Sequence, residues 1–251
     1  MRLKKNDDSY LDLKITNYEQ NIRINYKLVE TSGSNILSID RGALTDRYSS
    51  TVIFRGHKDY IREIVSEITL LRTNGKELVL DQFNENIFGD NVDYSGAINC
   101  LVDSFGKENS PTLNIQSIEL VLLPTNLTFV GTSQLPTSLN CLYSKWEGYS
   151  DWNAHVNETY TRNNYFVDRE ADTYVFEGDY SLTIDENTNL LSFWKQQRGD
   201  AFTINDGDFG TSNMFGPVAG TGAHSVIILN IEYDRFGPVM RSTTIKLVKV
   251  G

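Results

Sequence analysis

The histidines, whose side chains titrate near neutral pH and so suit acid–base chemistry, are few and scattered. The three histidines, His57, His155 and His224, lie far apart in the sequence. No G-x-G-x-x-G, Walker loop, H-E-x-x-H or G-x-S-x-G sequence occurs, so the common signatures of nucleotide binding, zinc proteolysis and serine hydrolysis are missing. A catalytic triad assembles from distant segments, but nothing local to these histidines favours one. We therefore expect no enzymatic activity.

Segments rich in oxygen or sulfur ligands also lack a metal-binding pattern. The segment "NDGDFG", Asn205 to Gly210, has two carboxylates and a glycine, but not the repeated Asp spacing and distal Glu of a calcium loop. We interpret it as an acidic turn. Cys100 and Cys141 are too few for a disulfide framework or a thiolate zinc site, and we interpret them as small buried apolar side chains. The sequence predicts no metal and no cofactor.

One aromatic cluster offers binding chemistry. The segment "KWEGYSDWNAH" contains Trp146, Tyr149 and Trp152, whose rings stack on sugars if they share an exposed face. This pattern predicts an alternative function, a carbohydrate-binding β-sandwich that contacts host-surface glycans. Trp146 aligns with Tyr18 in the repeat described below, where no such cluster exists, and this favours packing as its role.

Composition excludes two classes of partner. The 251 residues carry a formal net charge of −10, so no bulk basic surface exists to bind nucleic acid through phosphate contacts. No uninterrupted apolar span approaches about 18 residues, and the start "MRLKKNDDSY" has no apolar stretch typical of an export signal. We expect a soluble chain without membrane contact. The frequent Tyr, Phe, Thr, Val and Ile favour strands.

The chain reads as two similar halves. At a spacing of 128 residues, "LDLKITNYE" from Leu11 falls on "LNCLYSKWE" from Leu139, and nine positions between Leu11 and Ala43 are identical. Later landmarks recur in order with small shifts. Phe54-Arg-Gly in the first half matches Phe176-Glu-Gly in the second, and each is followed by a helical stretch. This order indicates an internal duplication.

Each half is predicted to contain strands, one helix and further strands. Apolar residues at helical spacing predict the first helix over 57–73, and a weaker pattern with Leu190, Leu191, Phe193 and Trp194 predicts the second over 185–198. A turn is predicted at Phe105-Gly106 and another at Phe236-Gly237. Clean alternation in "STVIFRG" and "QSIELVLL" is typical of antiparallel sheets with one face on the core. The fold class is therefore α+β, mainly antiparallel β, with modules at 1–127 and 128–251.

Two long loops follow the helices. Asp81 to Gly96 and Asn205 to Ala223 are polar, yet they carry four larger apolar side chains, namely Phe88, Tyr94, Met214 and Phe215. Loops of this length are commonly functional, so these four are our candidates for contacts between subunits or stacked rings. A loop folded back on its own module is the alternative.

The pattern resembles a known structural family. An Asp-Arg-Gly start, a strand, one helix, the segment "NGKELVLDQFNENIFGDNVDYSGAINCLVDSF" with Tyr94-Ser-Gly96, and a closing strand "IQSIELVL" look like the tail-tube module of long-tailed bacteriophages. The likeness is strongest to the N-terminal ring domain of distal tail proteins. It covers most of the first half, whereas the second half has Thr221-Gly222 in place of Tyr-x-Gly. Each module then resembles a β-sandwich or barrel with one packed helix.

The resemblance implies a virion protein that forms a ring or tube segment of a phage tail. If a ring has six modules and each chain supplies two, the ring is a trimer with pseudo-sixfold symmetry. A hexamer built from the first module alone is the alternative. The position is either the tail tube or the distal ring near the baseplate, with other tail proteins as partners. DNA passes through the channel without specific binding, which suits an acidic chain. Synthesis takes place in the cytoplasm of the host bacterium.

Overall fold

The chain of the computed structural model forms two compact units. The first unit contains residues 1–23 and 46–130, and the second contains residues 24–45 and 131–251. The sequence-based division lay between residues 127 and 128 and assigned 24–45 to the first half. The described residues are 1–30, 36–40, 46–109, 114–132, 134–135, 139, 141–152, 155–158, 164–167, 170–209 and 222–250.

The first unit is built on one antiparallel sheet. Its strands are β1 (Arg2–Lys4), β2 (Tyr10–Asp12), β3 (Ile15–Arg23), β6 (Arg47–His57), β7 (Leu78–Asp81), β8 (Ile98–Asn109) and β9 (Ile115–Pro124). They lie in the order β2-β1-β7-β8-β9-β6-β3. Between β3 and β6 the chain forms a separate hairpin, β4 (Tyr26–Glu30) with β5 (Ile36–Asp40), which belongs to the second unit. We refer to this hairpin as the first arm.

The second unit has a smaller antiparallel sheet. Its strands are β10 (Cys141–Trp152), β13 (Glu170–Thr183), β14 (Phe202–Asn205), β15 (Ala223–Phe236) and β16 (Met240–Lys249). Their order is β10-β13-β16-β15-β14. A second hairpin, the second arm, pairs β11 (His155–Glu158) with β12 (Asn164–Val167) between β10 and β13. The predicted fold class, α+β with mainly antiparallel β structure, is confirmed.

Helix α1 (Lys58–Thr73) joins β6 to β7 and begins one residue later than predicted. His57 caps it, because its Nδ1 accepts a hydrogen bond from the backbone N–H of Asp59 at 3.4 Å. The predicted apolar stripe is buried, as Ile61, Ile64, Ile68 and Leu71. The helix ends at Asn74, and Gly75 follows with a φ of 65°, a left-handed conformation that glycine adopts readily.

Helix α2 (Ile184–Gln197) joins β13 to β14 and begins with a capping box. The backbone N–H of Glu186 donates to Thr183 Oγ1 at 3.2 Å, and the backbone N–H of Thr183 donates to Glu186 Oε2 at 2.7 Å. Arg198 ends the helix with a φ of 46°. The four apolar residues that predicted this helix are all buried. Neither α1 nor α2, nor any other described helix, is both long and apolar enough to cross a membrane.

In each unit the helix packs on two adjacent strands of the sheet. Helix α1 contacts β6 and β9, and α2 contacts β13 and β16. The predicted alternation is confirmed, because Val52 and Phe54 are both fully buried and Glu119 faces away from the core. On the facing strands the buried residues are Ile118, Leu120 and Leu122 in the first unit, and Thr243, Ile245 and Leu247 in the second.

The two units share one order of elements. The strands β7-β8-β9-β6-β3 of the first sheet correspond to β14-β15-β16-β13-β10 of the second, and each arm and helix falls at the same point of the chain. The helices begin 126 residues apart, at Lys58 and Ile184. Two register shifts recur at that spacing, between Ile15/Asn17 and Cys141/Tyr143, and between Val102/Ser104 and Ile228/Asn230. Matching irregularities of this kind are expected of an internal duplication.

The structure changes the register at which the halves match. In β3, β6, β8 and the helices the spacing is 126, so Tyr18 does not correspond to Trp146, and Phe54 corresponds to Tyr180 rather than to Phe176. The pairing of the strands gives a spacing of 125 between β9 and β16 and of 124 between β7 and β14. In the arms the predicted spacing of 128 fits, since Glu30 pairs with Ile36 as Glu158 pairs with Asn164. The physical reason is that strand side chains repeat every two residues, so any even offset superimposes the same faces.

One predicted turn is wrong. Phe105 and Gly106 lie inside β8, where they pair with Leu120 and Glu119. Gly106 does not adopt the left-handed φ that favours glycine in turns, whereas Gly237, after β15, has a φ of 77°. Of the two Phe-Gly pairs, only Phe236-Gly237 forms a turn, because only there does the glycine adopt a positive φ.

The core position of Phe54 gives a test of the fold. We expect Phe54→Ala to lower the free energy of unfolding by about 3–5 kcal/mol, because it leaves a cavity under α1. Phe236→Ala is the matched control, since Phe236 is 68% exposed and its loss leaves no cavity. Urea titration followed by circular dichroism measures both variants. Equal midpoints for the two would contradict this assignment of the core.

Candidate functional site

The three histidines lie on separate elements of the described structure. His57 caps α1, His155 begins β11, and His224 is buried in β15. No group of three or more His, Cys, Asp or Glu in the described part of the chain is placed to hold a metal ion. In the described part of the acidic turn, Asp208 Oδ2 accepts from the backbone N–H and the side-chain amide of Asn205 at 2.9 and 3.1 Å. Its carboxylate thus stabilises the turn.

The two cysteines differ in their surroundings. Cys100 is fully buried in β8, and burial, together with the nearby charge of Glu77, raises the pKa of its thiol. Cys141 is only partly buried and its Sγ donates to the carbonyl of Tyr143 at 3.3 Å. The expectation of a buried apolar role therefore fits Cys100 and does not fit Cys141, which begins the edge strand β10.

The loop between β7 and β8 is folded onto its own unit. Phe88 is fully buried, and its ring lies 6.4 Å from that of Phe83, which in turn lies 5.1 Å from that of Tyr94. Phe88 therefore packs inside the first unit and offers no surface to another subunit, which corrects its prediction as a contact residue. The alternative, a loop folded back on its own module, describes this segment.

Tyr94 fixes the conformation of that loop. Its hydroxyl accepts a hydrogen bond from the backbone N–H of Phe88 at 2.7 Å and donates to the carbonyl of Gly89 at 3.1 Å. The side chain is half-buried, so part of it remains at the surface. Its structural role is clear from these contacts, and its role between subunits remains a prediction. Met214 and Phe215 lie outside the described residues.

The three aromatic residues of the alternative glycan site lie on β10. This strand pairs with β13 without a register shift from Tyr143 to Trp152. Because successive positions of a strand alternate between its faces, positions 146 and 152 share one face and position 149 lies on the other. The glycan site stays a prediction.

The first arm was not anticipated from the sequence. It begins at Tyr26, directly after the long edge strand β3, and it packs within the second unit. Tyr26 lies against a buried apolar cluster of Ile227, Val248 and Val250, together with Val175 and Leu229. In the sheet, Val248 pairs with Ile227 on one side and with Val175 on the other, so the three residues share one face. Leu247, the neighbour of Val248 in the strand, points to the face that α2 covers, so the cluster lies on the opposite face.

The hydroxyl of Tyr26 reaches the edge of the second sheet. It donates to the carbonyl of Ile228 and, at 3.3 Å, to that of Leu229, at the register shift in β15. Trp194 Nε1 of α2 donates to the same hydroxyl at 3.5 Å. Burial raises the pKa of Tyr26, and the Trp194 hydrogen bond opposes this rise. One side chain thus ties the arm to the sheet and the helix.

The corresponding surface of the first unit is open. Leu101, which lies 126 residues before Ile227, is 48% exposed, whereas Ile227 is 1% exposed. Phe105 is 44% exposed, whereas Ile231 at the same spacing is 5% exposed. At the edge of the second sheet, Leu142 and Tyr143 of β10 are also exposed. These apolar surfaces are the candidate contact sites of the molecule.

Comparisons with known proteins do not assign this chain to a family. No protein-family model matches the chain, and no curated protein matches it significantly.

The hydrogen bonds of Tyr94 lead to a stability prediction. Tyr94→Phe removes the acceptor for the backbone N–H of Phe88, so we expect a loss of about 1–3 kcal/mol in the free energy of unfolding. Tyr10→Phe is the control, because Tyr10 is 49% exposed. Chemical denaturation compares the two variants. If Tyr94→Phe matched the wild type, the hydroxyl would have no role in holding the loop.

The contacts of Tyr26 lead to a prediction about the first arm. Tyr26→Phe keeps the ring but removes the hydrogen bonds to the carbonyls of Ile228 and Leu229, so we expect backbone amides of β4 and β5 to exchange about tenfold faster. Hydrogen–deuterium exchange with mass spectrometry measures this rate. Tyr143→Phe, at an exposed position of the same unit, should leave it unchanged. Unchanged exchange in Tyr26→Phe would contradict the anchoring role.

Proposed function

We propose that this protein is a structural subunit of a bacteriophage tail, in which three copies form a ring and their six units surround a channel for DNA. The observation that carries this proposal is the repeated topology. The two units share one strand order and the same register shifts, which supports the proposal of two similar assembly modules in each chain. A ring of six similar positions then needs only three chains, and closed symmetry is the usual outcome for such assemblies.

The sheet edges also favour assembly. Strand β10 has 12 residues and stands at one edge of the second sheet, where its start exposes Leu142 by 64% and Tyr143 by 62%. Strand β3, with 9 residues, stands at an edge of the first sheet. Long exposed edges are templates for pairing with another chain, and closure into a ring removes them. The proposed ring therefore covers surfaces that a lone chain leaves open.

Charge is compatible with a channel for DNA. The formal net charge of −10 disfavours binding to phosphate groups, so DNA is expected to slide past rather than bind. In this proposal the protein acts in the virion, either in the tail tube or in the distal ring near the baseplate, with neighbouring tail proteins above and below. A hexamer that uses only the first unit for the ring is the competing arrangement.

The ring predicts a defined assembly. Light scattering on the purified protein should give a mass of about three times the 28.5 kDa of one chain, and negative-stain images should show six similar features around a hole. Tubes of stacked rings would favour the tail tube over the distal ring. A mass of six chains would favour the hexamer. A monomer at high concentration would contradict self-assembly of this chain.

A further inference from the structure

The second unit carries a cover that the described part of the first unit lacks. Tyr26 of the first arm packs on the face of the second sheet opposite α2, where Ile227 and Val248 are 1% and 2% exposed. At matching strand positions the first unit has Leu101 and Leu123, which pair with each other across β8 and β9. Leu101 is 48% exposed and Leu123 is half-buried. The same apolar row is thus covered in one unit and open in the other.

The anchor point for a cover is also present on the first unit. In the second unit β14 pairs with β15 only as far as Val226, so β15 has no neighbour on that side beyond this residue. The register shift between Ile228 and Asn230 lies in this stretch, and the carbonyl of Ile228 accepts a hydrogen bond from Tyr26. In the first unit β7 pairs with β8 only as far as Cys100, and the same shift follows between Val102 and Ser104. The backbone there presents the same kind of edge to an aromatic side chain with a donor.

The second arm is the segment of this chain that corresponds to the first arm. It occupies the same place in the order of elements, and its two strands pair with each other in the same register. Among the described strands, β11 and β12 form a sheet of their own.

We propose that the second arm of one copy docks on strand β8 of the first unit in the next copy, over Leu101 and Leu123. This inference rests on the proposed ring, and it names the contact that closes it. In this arrangement each chain docks its second arm on the next copy and binds the second arm of the previous copy, so the contact is head-to-tail. The first arm contacts the second unit of its own chain, and the second arm contacts the first unit of the next chain. The occupant is the second arm of another copy of this chain, because among the described strands only β11 and β12 form a separate two-stranded sheet like that of the first arm.

Two substitutions of leucine test the docking surface. Leu101→Glu places a charge under the arm, so we expect assembly to need at least about tenfold more protein than in the wild type. Leu70→Glu is the matched control, since Leu70 on α1 is 43% exposed and lies away from the docking row. Mass photometry over a dilution series measures assembly, and circular dichroism checks folding. Leu101→Gln serves in place of Leu101→Glu if the latter is misfolded.

A photo-reactive p-benzoylphenylalanine in place of Leu101 identifies the occupant. Irradiation should join two copies, and mass spectrometry should map the adduct to residues 152–170 of the second copy. Particles that form with the adduct elsewhere, or particles that persist in Leu101→Glu, would overturn the docking inference and leave the ring intact. A wild-type chain that stays monomeric would overturn the ring, and the docking inference with it.

Discussion

The structure depends on one constraint, which is that an antiparallel sheet has two faces and two edges while the described part of each unit has one α-helix. Helix α1 or α2 covers one face, and the buried residues of the central strands lie beneath it. The opposite face carries apolar residues as well, so something else must shield it from water. In the second unit Tyr26 of the first arm packs on this face, and residues 24–45 group with that unit rather than with the unit of the strands on either side.

The two cores show how the same topology can hold different side chains. Asn187 of α2 and Thr243 of β16 are both buried, and the Thr243 hydroxyl donates to Asn187 Oδ1 at 3.1 Å. The corresponding positions in the first unit are Ile61 and Ile118, which are also buried. A buried amide needs a partner, so the polar residues occur as a pair. The units therefore share a plan of strands while each core satisfies its own packing.

A second exchange concerns volume rather than polarity. Gly178 occupies the position that Val52 holds in the first unit, and a Cβ at Gly178 would lie 2.8 Å from Tyr180 Oη and 2.9 Å from the ring of Phe176. The two aromatic side chains thus fill the space that a valine side chain needs. Differences of this kind make the two units similar but not interchangeable. A ring made from them would alternate two kinds of position, which is the meaning of pseudo-sixfold symmetry.

The sequence by itself determined the elements, and the tertiary structure decided what covers them. Helical spacing from Tyr60 to Leu71, the glycine after Asn74, and strict alternation around Val52 and Ile118 are local signals, and the helices and central strands form where those signals lie. The spacing of the repeat was ambiguous by two residues because alternation has a period of two. The burial of Phe88 and the docking of Tyr26 depend on contacts between residues distant in sequence, which no local pattern encodes. Only the folded chain shows that one arm is seated and that the matching row at Leu101 is open.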